Sequence, residues 1–274
     1  MKYAIHIVLS FLTATVLLPA CEQEDVASLD SKTAVVEGYL YAGQVADSIR
    51  ITQSFAYSRT DSTLITLDGL SVVLEDGSQS HPLSSAGNGY YRNPNLAIAS
   101  GRTYRMAFTW QGETVSAETF VPAKKEAAIS ATEIEMSKIS AGAPPVFGGG
   151  QFQPVEVSWN NSEGDYYYVV IRNLEDNPEY INDRFPAGGE RHPFLFISRP
   201  QIMDFYAINP MRGLTQFGRH EVIVFRVNPE YAALYELTGG SSLSITQPPS
   251  NVKNGLGILT GVSSDTLRLN VKKI

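Results

Sequence analysis

Hydrophobic and polar residues alternate over short runs along most of the chain, and turn-forming residues separate these runs. The first run alternates around Val36 and Leu40, and a later one places Val155, Val157 and Trp159 at every second position. A period of two turns one side of each run toward a core and the other toward solvent, as in a half-buried strand. Because the helical period is rare, the pattern predicts an all-β protein.

Turn signals divide the first half of the chain into about seven strands within about 90 residues, as in an antiparallel sandwich. Asp76-Gly77 follows the run at residues 71–75, and Gln111-Gly112 separates residues 103–110 from residues 113–121. An Asp-Gly pair between such runs is among the strongest hairpin signals. We therefore expect residues 33–122 to form an immunoglobulin-like or prealbumin-like sandwich that folds on its own.

The pattern changes after Val121-Pro122, where charged and small residues begin, and this predicts a domain boundary. Residues 127–274 are expected to form a second sandwich with a long insertion at residues 173–217, which carries five prolines. The strands predicted for this second domain are residues 155–159, 166–172, 194–198, 221–227, 243–246, 257–261 and 266–271.

One short helix is predicted at residues 229–237. Asn228 is a good N-cap, Pro229 suits the first helical position, and Glu230 complements the positive end of the helix. The two glycines that follow Thr238 are expected to end it.

The first 20 residues have the features of a secretory signal. One lysine precedes an apolar stretch that is shorter than the roughly 20 residues of a membrane-spanning helix. The stretch ends in Leu18-Pro19-Ala20-Cys21, which resembles the lipobox of bacterial lipoproteins, although Pro19 replaces the small residue that is commoner there. The resemblance implies that Cys21 is acylated and becomes the first mature residue. The alternative is an ordinary signal peptide followed by a free cysteine.

Residues 21–32 are acidic and then polar, which predicts a flexible tether between the lipid and the folded domains. The acidic run at residues 22–25 resembles the surface-export signal of Bacteroidota lipoproteins, although any tether tends to be polar. We therefore expect an outer-membrane protein that is anchored by lipid and displayed on the cell surface.

Composition excludes several classes of function. The chain is 43% hydrophobic and 18% charged, and its formal net charge is −7, without a large cluster of Lys or Arg. An acidic surface argues against nucleic acid as a partner. Because Cys21 is the only cysteine, we expect neither a disulfide nor a thiolate metal site, and we predict no cofactor.

No motif in the sequence indicates a reaction. The glycines between Gly255 and Gly261 resemble a phosphate-binding loop, but they lie among β runs rather than before a helix, which favours a turn and a bulge. His81, His192 and His220 lack the spacing of metal ligands. Pairs of carboxylates are expected by chance in so acidic a chain. We therefore expect a protein that is not an enzyme, with no catalytic residues and no metal site.

Recognition is predicted in the insertion, since long aromatic- and arginine-bearing loops on a sandwich are common binding elements. The three tyrosines at residues 166–168 would place two rings on one face of a strand and one on the other. An alternative role for the insertion is to cover a sheet edge. The residues predicted to bind a ligand or partner are Arg184, Phe185, Arg191, Tyr206 and Arg212.

Four motifs are spread over the part of the chain that follows the tether. They are Val36-x-Gly38-x-Leu40, Gly101-x-x-Tyr104, Ala117-x-Thr119-x-Val121-Pro122 and the run from Asn251 to Ile258. Together with the lipobox, these motifs resemble the Bacteroidota lipoprotein family called domain of unknown function 4249. One departure is Leu259, where the family usually has phenylalanine. Members are typically encoded beside TonB-dependent outer-membrane transporters, and the family has no established catalytic residues.

This resemblance favours a non-catalytic accessory or ligand-capture partner of a TonB-dependent nutrient transporter, for which a carbohydrate or a peptide is the expected class of ligand. The alternative function is that of a structural or adhesive surface protein without a role in transport. Ser48, Ser62 and Thr266 also lie in short runs that resemble a Bacteroidota O-glycosylation signal, and glycosylation there is left open.

Overall fold

Most of the predicted runs form strands, and the all-β class is confirmed. A computed structural model describes residues 32–55, 63–140, 153–183, 194–236 and 248–274, without the side chains of residues 211 and 212. The elements of these residues, in chain order, are β1 (Ala34–Tyr41), β2 (Val45–Gln53), β3 (Ile65–Thr66), β4 (Val72–Glu75), β5 (Ser80–Gly87), β6 (Tyr90–Ala97), β7 (Arg102–Trp110), β8 (Glu113–Val121), β9 (Ala127–Ile129), β10 (Glu133–Met136), β11 (Val155–Trp159), β12 (Tyr166–Asn173), β13 (Leu195–Ile197), β14 (Gln201–Ile202), β15 (Phe205–Ile208), α1 (Pro210–Gly213), β16 (Gly218–Val227), α2 (Pro229–Glu236), β17 (Val252–Lys253) and β18 (Leu256–Lys273).

Both predicted hairpins are confirmed. Asp76 closes the turn between β4 and β5, where its carboxylate accepts hydrogen bonds from the backbone N–H groups of Ser78 and Gln79 at 3.2 and 2.9 Å. Gln111 and Gly112 connect β7 to β8 with positive φ angles of 52° and 86°. A two-residue turn with both φ angles positive matches the twist of the strands that it joins.

Most strands belong to one large sheet, and three form a small one. The small sheet has the order β15-β11-β9. In the large sheet β10 also pairs with β18, β14 with β12 and β3 with β2, while its main path runs β13-β12-β16-β18-β1-β2-β6-β5-β4-β7-β8-β17.

Strand β18 connects the two halves of the large sheet. Its first part pairs with β1 in parallel, and its longer second part pairs with β16 in antiparallel fashion. Two separate strands were predicted here, at residues 257–261 and 266–271, and this prediction is wrong. The polar residues between them do not turn, because Ser263 donates a hydrogen bond to the carbonyl of Ala123 and Asp265 accepts one from the N–H of Ala127.

The first hydrophobic core lies between the strands of residues 34–121. It contains large buried side chains such as Leu40, Tyr91 and Met106. Val252 and Leu259, from the far end of the sequence, also belong to it. The domain boundary between residues 122 and 127 stays a prediction. Because Val252 and Leu259 complete the first core, residues 33–122 lack part of that core when they are alone.

The second core lies between the small sheet and the strands β12, β16, β18 and β10. Val157 and Trp159 from β11 meet Tyr167 and Val169 from β12 there. The rings of Trp159 and Tyr167 lie 5.0 Å apart. The opposite face of β12, β16 and β18 therefore points away from this core.

The run before β18 holds this strand against β8. The side-chain amide of Asn251 donates to the carbonyl of Leu259 at 2.8 Å, and its oxygen accepts the N–H of the same residue at 3.0 Å. Asn254 donates to the carbonyl of Thr114 at 3.0 Å. Val252 and Lys253 pair with β8. Asn254 and Gly255 turn between β17 and β18, and the glycines at 257 and 261 lie within β18 rather than before the helix of a phosphate-binding loop.

Helix α2 occupies the predicted position. The backbone carbonyl of Asn228 accepts hydrogen bonds from the N–H groups of Tyr231 and Ala232, so the helix begins here as expected. The side chain of Asn228 acts differently from an ordinary cap, because it donates to the hydroxyl of Thr119 and the carbonyl of Phe120 at 2.9 and 2.7 Å. The helix is thereby tied to β8. The predicted strand at residues 243–246 lies outside the described residues.

Candidate binding face

The side of the large sheet that points away from the second core forms a continuous surface, which we call the outer face. The strand register defines its rows, because paired residues point to the same side of a sheet. Four rows cross from the sheet edge toward β18: Leu195–Arg172–Glu221–Arg268, Ile197–Val170–Ile223–Thr266, Tyr168–Phe225–Ser264, and Ile202–Tyr166–Val227–Val262.

Large apolar side chains are exposed where the outer face reaches the sheet edge. The exposed fractions are 59% for Leu195, 53% for Ile197 and 60% for Ile202. Phe205, 52% exposed, lies nearby in sequence but on the small sheet. Three of the ten exposed large hydrophobic residues in the described part of the chain thus lie at this edge. Contiguous exposed apolar surface is a common mark of a binding site.

Helix α2 covers the other end of the outer face with aromatic rings. Tyr168 stacks on Phe225 with ring centres 4.7 Å apart, and Tyr231 of the helix stacks on Tyr168 at 5.6 Å. Burial among these rings raises the pKa of the Tyr168 hydroxyl above its ordinary value, so it stays protonated. Tyr39 of β1 meets Tyr231 edge-on at 6.2 Å. The outer face is therefore covered by packed aromatic rings near α2 and exposes apolar side chains only at the edge formed by β13 and β14.

The tyrosines of residues 166–168 alternate as predicted. Tyr167 points into the second core, where burial raises the pKa of its hydroxyl to about 12. Tyr166 and Tyr168 point to the outer face, where Tyr168 is buried under the helix. Packing, rather than an open ligand-stacking position, accounts for both buried rings.

A row of charge borders the apolar end of the outer face. The carboxylate of Glu221 is nearly buried and receives hydrogen bonds from the guanidinium of Arg172 on one side and, at 2.8 Å, from that of Arg268 on the other. The two arginine side chains remain 53% and 65% exposed. One carboxylate thus faces two guanidinium groups, which leaves the row with a net positive charge and donors open to solvent.

The predicted binding residues are placed only in part. Tyr206 lies on β15 and is half-buried against the second core, with its ring 6.1 Å from that of Phe196. Burial raises the pKa of the Tyr206 hydroxyl. Arg184, Phe185, Arg191 and the side chain of Arg212 lie outside the described residues. The binding role of all five residues stays a prediction.

Sequence reasoning missed the residues of the outer face as a site. The signal was present, because residues 194–198 were predicted as a strand and alternate Leu195 and Ile197 with Phe196. What the sequence does not show is which alternate set faces the core. In the structure Phe196 packs on the second core, and its two neighbours face solvent.

The histidines and carboxylates of the described residues do not form a metal site. None of their His, Asp or Glu side chains form a group of three that could hold a metal ion. His220 is fully buried, and its ring nitrogens lie 3.3 Å from the Asn173 amide and 3.0 Å from the Gly218 carbonyl, which is a structural role. Cys21 and Ser62 lie outside the described residues, whereas Ser48 lies on β2 and Thr266 is exposed on β18.

The family comparison covers most of the chain. The profile of the family described as domain of unknown function (DUF4249) matches residues 23–268. The chain belongs to the DUF4249 family. A comparison with curated proteins returns no match. Among the residues that the structure describes, no helix has the length and apolarity that crossing a membrane requires.

The motifs that suggested the DUF4249 family have structural roles in this chain. The Tyr104 hydroxyl is buried and accepts the N–H of Ala99 at 2.8 Å. Thr119 joins β8 to β18 and α2, because its hydroxyl accepts the N–H of Gly261 at 2.9 Å and donates to Glu230 at 3.0 Å. These motifs therefore identify the fold, and the outer face is a better candidate for a site.

Proposed function

We propose that this DUF4249 protein is a lipid-anchored lipoprotein of the outer membrane, displayed on the cell surface, that acts without catalysis as the accessory or ligand-capture partner of a TonB-dependent nutrient transporter. The observation that carries the binding role is the exposed apolar edge of the outer face, at Leu195, Ile197 and Ile202. Exposed aliphatic residues beside arginine donors favour contact with another protein or a peptide.

The N-terminal sequence supports the location. The lipobox-like run before Cys21 and the acidic residues after it favour a lipid anchor and export to the surface. One acyl chain binds a membrane only marginally, so a stable anchor needs at least two. A lipid anchor would hold the exposed apolar edge close to proteins of the same membrane, where it could contact a transporter.

The rival function is that of a structural or adhesive surface protein, for which the same edge would bind other cells or copies of the chain. The two functions differ in their partner. An accessory binds one transporter in its own membrane, whereas an adhesin needs no transporter.

The test is affinity purification of the tagged protein from native membranes after mild solubilisation. We expect a TonB-dependent transporter to co-purify in stable proportion, and Ile197→Lys to reduce its yield. Phe205→Lys is the matched control, because Phe205 is equally exposed but lies on the small sheet. Recovery of the protein without any transporter would contradict the accessory role and favour the rival.

A further inference from the structure

We propose that strand β13 binds its partner by strand addition, and that the partner segment is an extended peptide with apolar residues and acidic side chains. This inference rests on the proposed function, because it names how the accessory would hold its partner. It is drawn from the position of β13 in the sheet, the side chains that it exposes and the charges beside it.

Among the described residues, no strand pairs with the side of β13 that faces away from β12. In the large sheet β13 is the terminal strand of the main path and pairs only with β12 among the described residues. Antiparallel partners alternate between residues whose backbone groups point toward the neighbouring strand and residues whose groups point away. The carbonyl of Phe194 and the N–H of Ser198 bond to β12, so Phe194, Phe196 and Ser198 point toward it. The N–H and C=O groups of Leu195 and Ile197 therefore point outward.

Strand β13 itself carries few of the features that prevent pairing. Proteins protect exposed edges by keeping them short or with lysine, proline, bulges or inward-pointing charge. β13 is short, with three residues, and Pro193 and Pro200 flank it, but residues 194–198 read Phe-Leu-Phe-Ile-Ser, with no charge and no proline among them. Their register with β12 is regular across all three pairs. A short apolar edge that is bounded by prolines limits pairing to one brief segment, as in peptide recognition by strand addition.

The charge beside the edge selects the chemistry of the segment. Arg172 is the register partner of Leu195, and Arg268 lies in the same row, with only Glu221 between them as a counter-charge. Arg199, also exposed, lies two residues after the end of β13. These guanidinium groups stand on a chain whose net charge is −7, so they form a local positive border on an acidic protein. A segment with carboxylates beside its apolar residues complements this border, whereas a basic segment is repelled.

The first test needs no ligand. Hydrogen exchange, resolved to single amides, is measured on the mature lipoprotein in detergent. We expect the amides of Leu195 and Ile197 to exchange much faster than that of Phe196, which points toward β12. Slow exchange of Leu195 and Ile197 would show that the edge is already paired, by another part of the chain or by a second copy, and would overturn the proposal.

The second test uses a synthetic peptide of about seven residues that alternates valine and threonine and carries glutamate at both ends, a length typical of one added strand. We expect it to bind the mature lipoprotein and to slow exchange at Leu195 and Ile197. The same peptide with lysine at both ends should bind at least about tenfold more weakly. A version with N-methylated backbone amides should not bind, because it cannot complete the strand ladder.

Variants of the protein separate the apolar and charge contributions. Ile197→Asp should abolish binding of the glutamate peptide, because it removes an apolar contact and adds a like charge, and Phe205→Asp should leave binding unchanged. Leu195→Asp replaces the first variant if that one does not fold. Arg172→Gln should reduce the preference for glutamate over lysine, and it leaves Glu221 paired with Arg268.

The outcomes also separate this inference from the proposed function. Failure of the glutamate peptide to bind, or equal binding of the lysine and N-methylated peptides, would overturn strand addition even if a transporter still co-purifies. Conversely, specific peptide binding without any co-purifying transporter would leave strand addition standing and contradict the accessory role.

Discussion

Gly257 allows β18 to approach β1 more closely than any other residue would permit, and its replacement is a sharp test of the fold. A Cβ atom at this position would lie 2.0 Å from the carbonyl oxygen of Val36 and 2.9 Å from its carbonyl carbon. The φ angle of Gly257 is +93°, which side chains of L-residues rarely adopt. Gly257→Ala therefore adds both backbone strain and a clash.

The magnitude follows from these two contributions. A left-handed backbone costs about 1–2 kcal/mol for a residue with a Cβ. Overpacking costs about 1–3 kcal/mol, and here the obstacle is backbone that no rotamer change can move. Alanine also restricts the unfolded chain, which returns about 0.4–1 kcal/mol. We expect Gly257→Ala to lower the free energy of unfolding by about 2–4 kcal/mol, which for a chain of this size lowers Tm by about 5–15 °C.

Two further glycines isolate the contributions. Gly112 has a φ of +86° but nothing within 4 Å of its added Cβ, so Gly112→Ala measures strain alone. Gly261 lacks a positive φ, but its Cβ would lie 2.2 Å from the carbonyl oxygen of Phe120, so Gly261→Ala measures the clash alone. Thermal unfolding followed by circular dichroism should rank Gly257→Ala as the least stable of the three. If Gly257→Ala melts at the same temperature as Gly112→Ala, the close parallel pairing of β1 with β18 is wrong.

Three other predictions concern the anchor, pH and the first core. Cys21→Ala should remove the mature chain from the outer-membrane fraction, and its continued presence there would contradict acylation. Burial lowers the pKa of His220. Below about pH 6.5 the unfolded chain therefore binds a proton that the folded chain does not bind, and the free energy of unfolding should fall as pH falls. His220→Gln should reduce the change in Tm between pH 7 and pH 5, and an unchanged dependence of Tm on pH would assign that dependence to other groups. Because Val252 and Leu259 complete the first core, residues 33–122 should unfold cooperatively only when a peptide of residues 248–262 is added, and the same cooperative transition without the peptide would show that they suffice alone.

Local features of the fold were predictable because they depend on neighbouring residues. The turns at Asp76-Gly77 and Gln111-Gly112 need residues that tolerate positive φ angles, and the sequence places glycine in both. The helix that begins after Asn228 needs a start signal, which Asn228 and Pro229 provide. The alternation of the three tyrosines also predicted the sides on which they lie.

The long-range features were not predictable in the same way. The pairing of β1 with β18 joins residues more than 200 positions apart, and no local pattern specifies it. Two strands were predicted at residues 257–261 and 266–271, yet the hydrogen bonds of Ser263 and Asp265 to residues 123 and 127 hold the residues between them within one strand. The outer face was missed for the same reason, since its rows combine residues from strands that are distant in sequence.

The most direct test of the central claim is photo-crosslinking in intact cells. A photoreactive amino acid is placed at Ile197 on the exposed edge, and at Phe205 on the small sheet as a control of similar exposure. If the edge of the outer face holds a transporter, irradiation should link position 197, and not position 205, to a TonB-dependent outer-membrane transporter. Absence of that product at position 197, or its equal formation from position 205, would contradict the account.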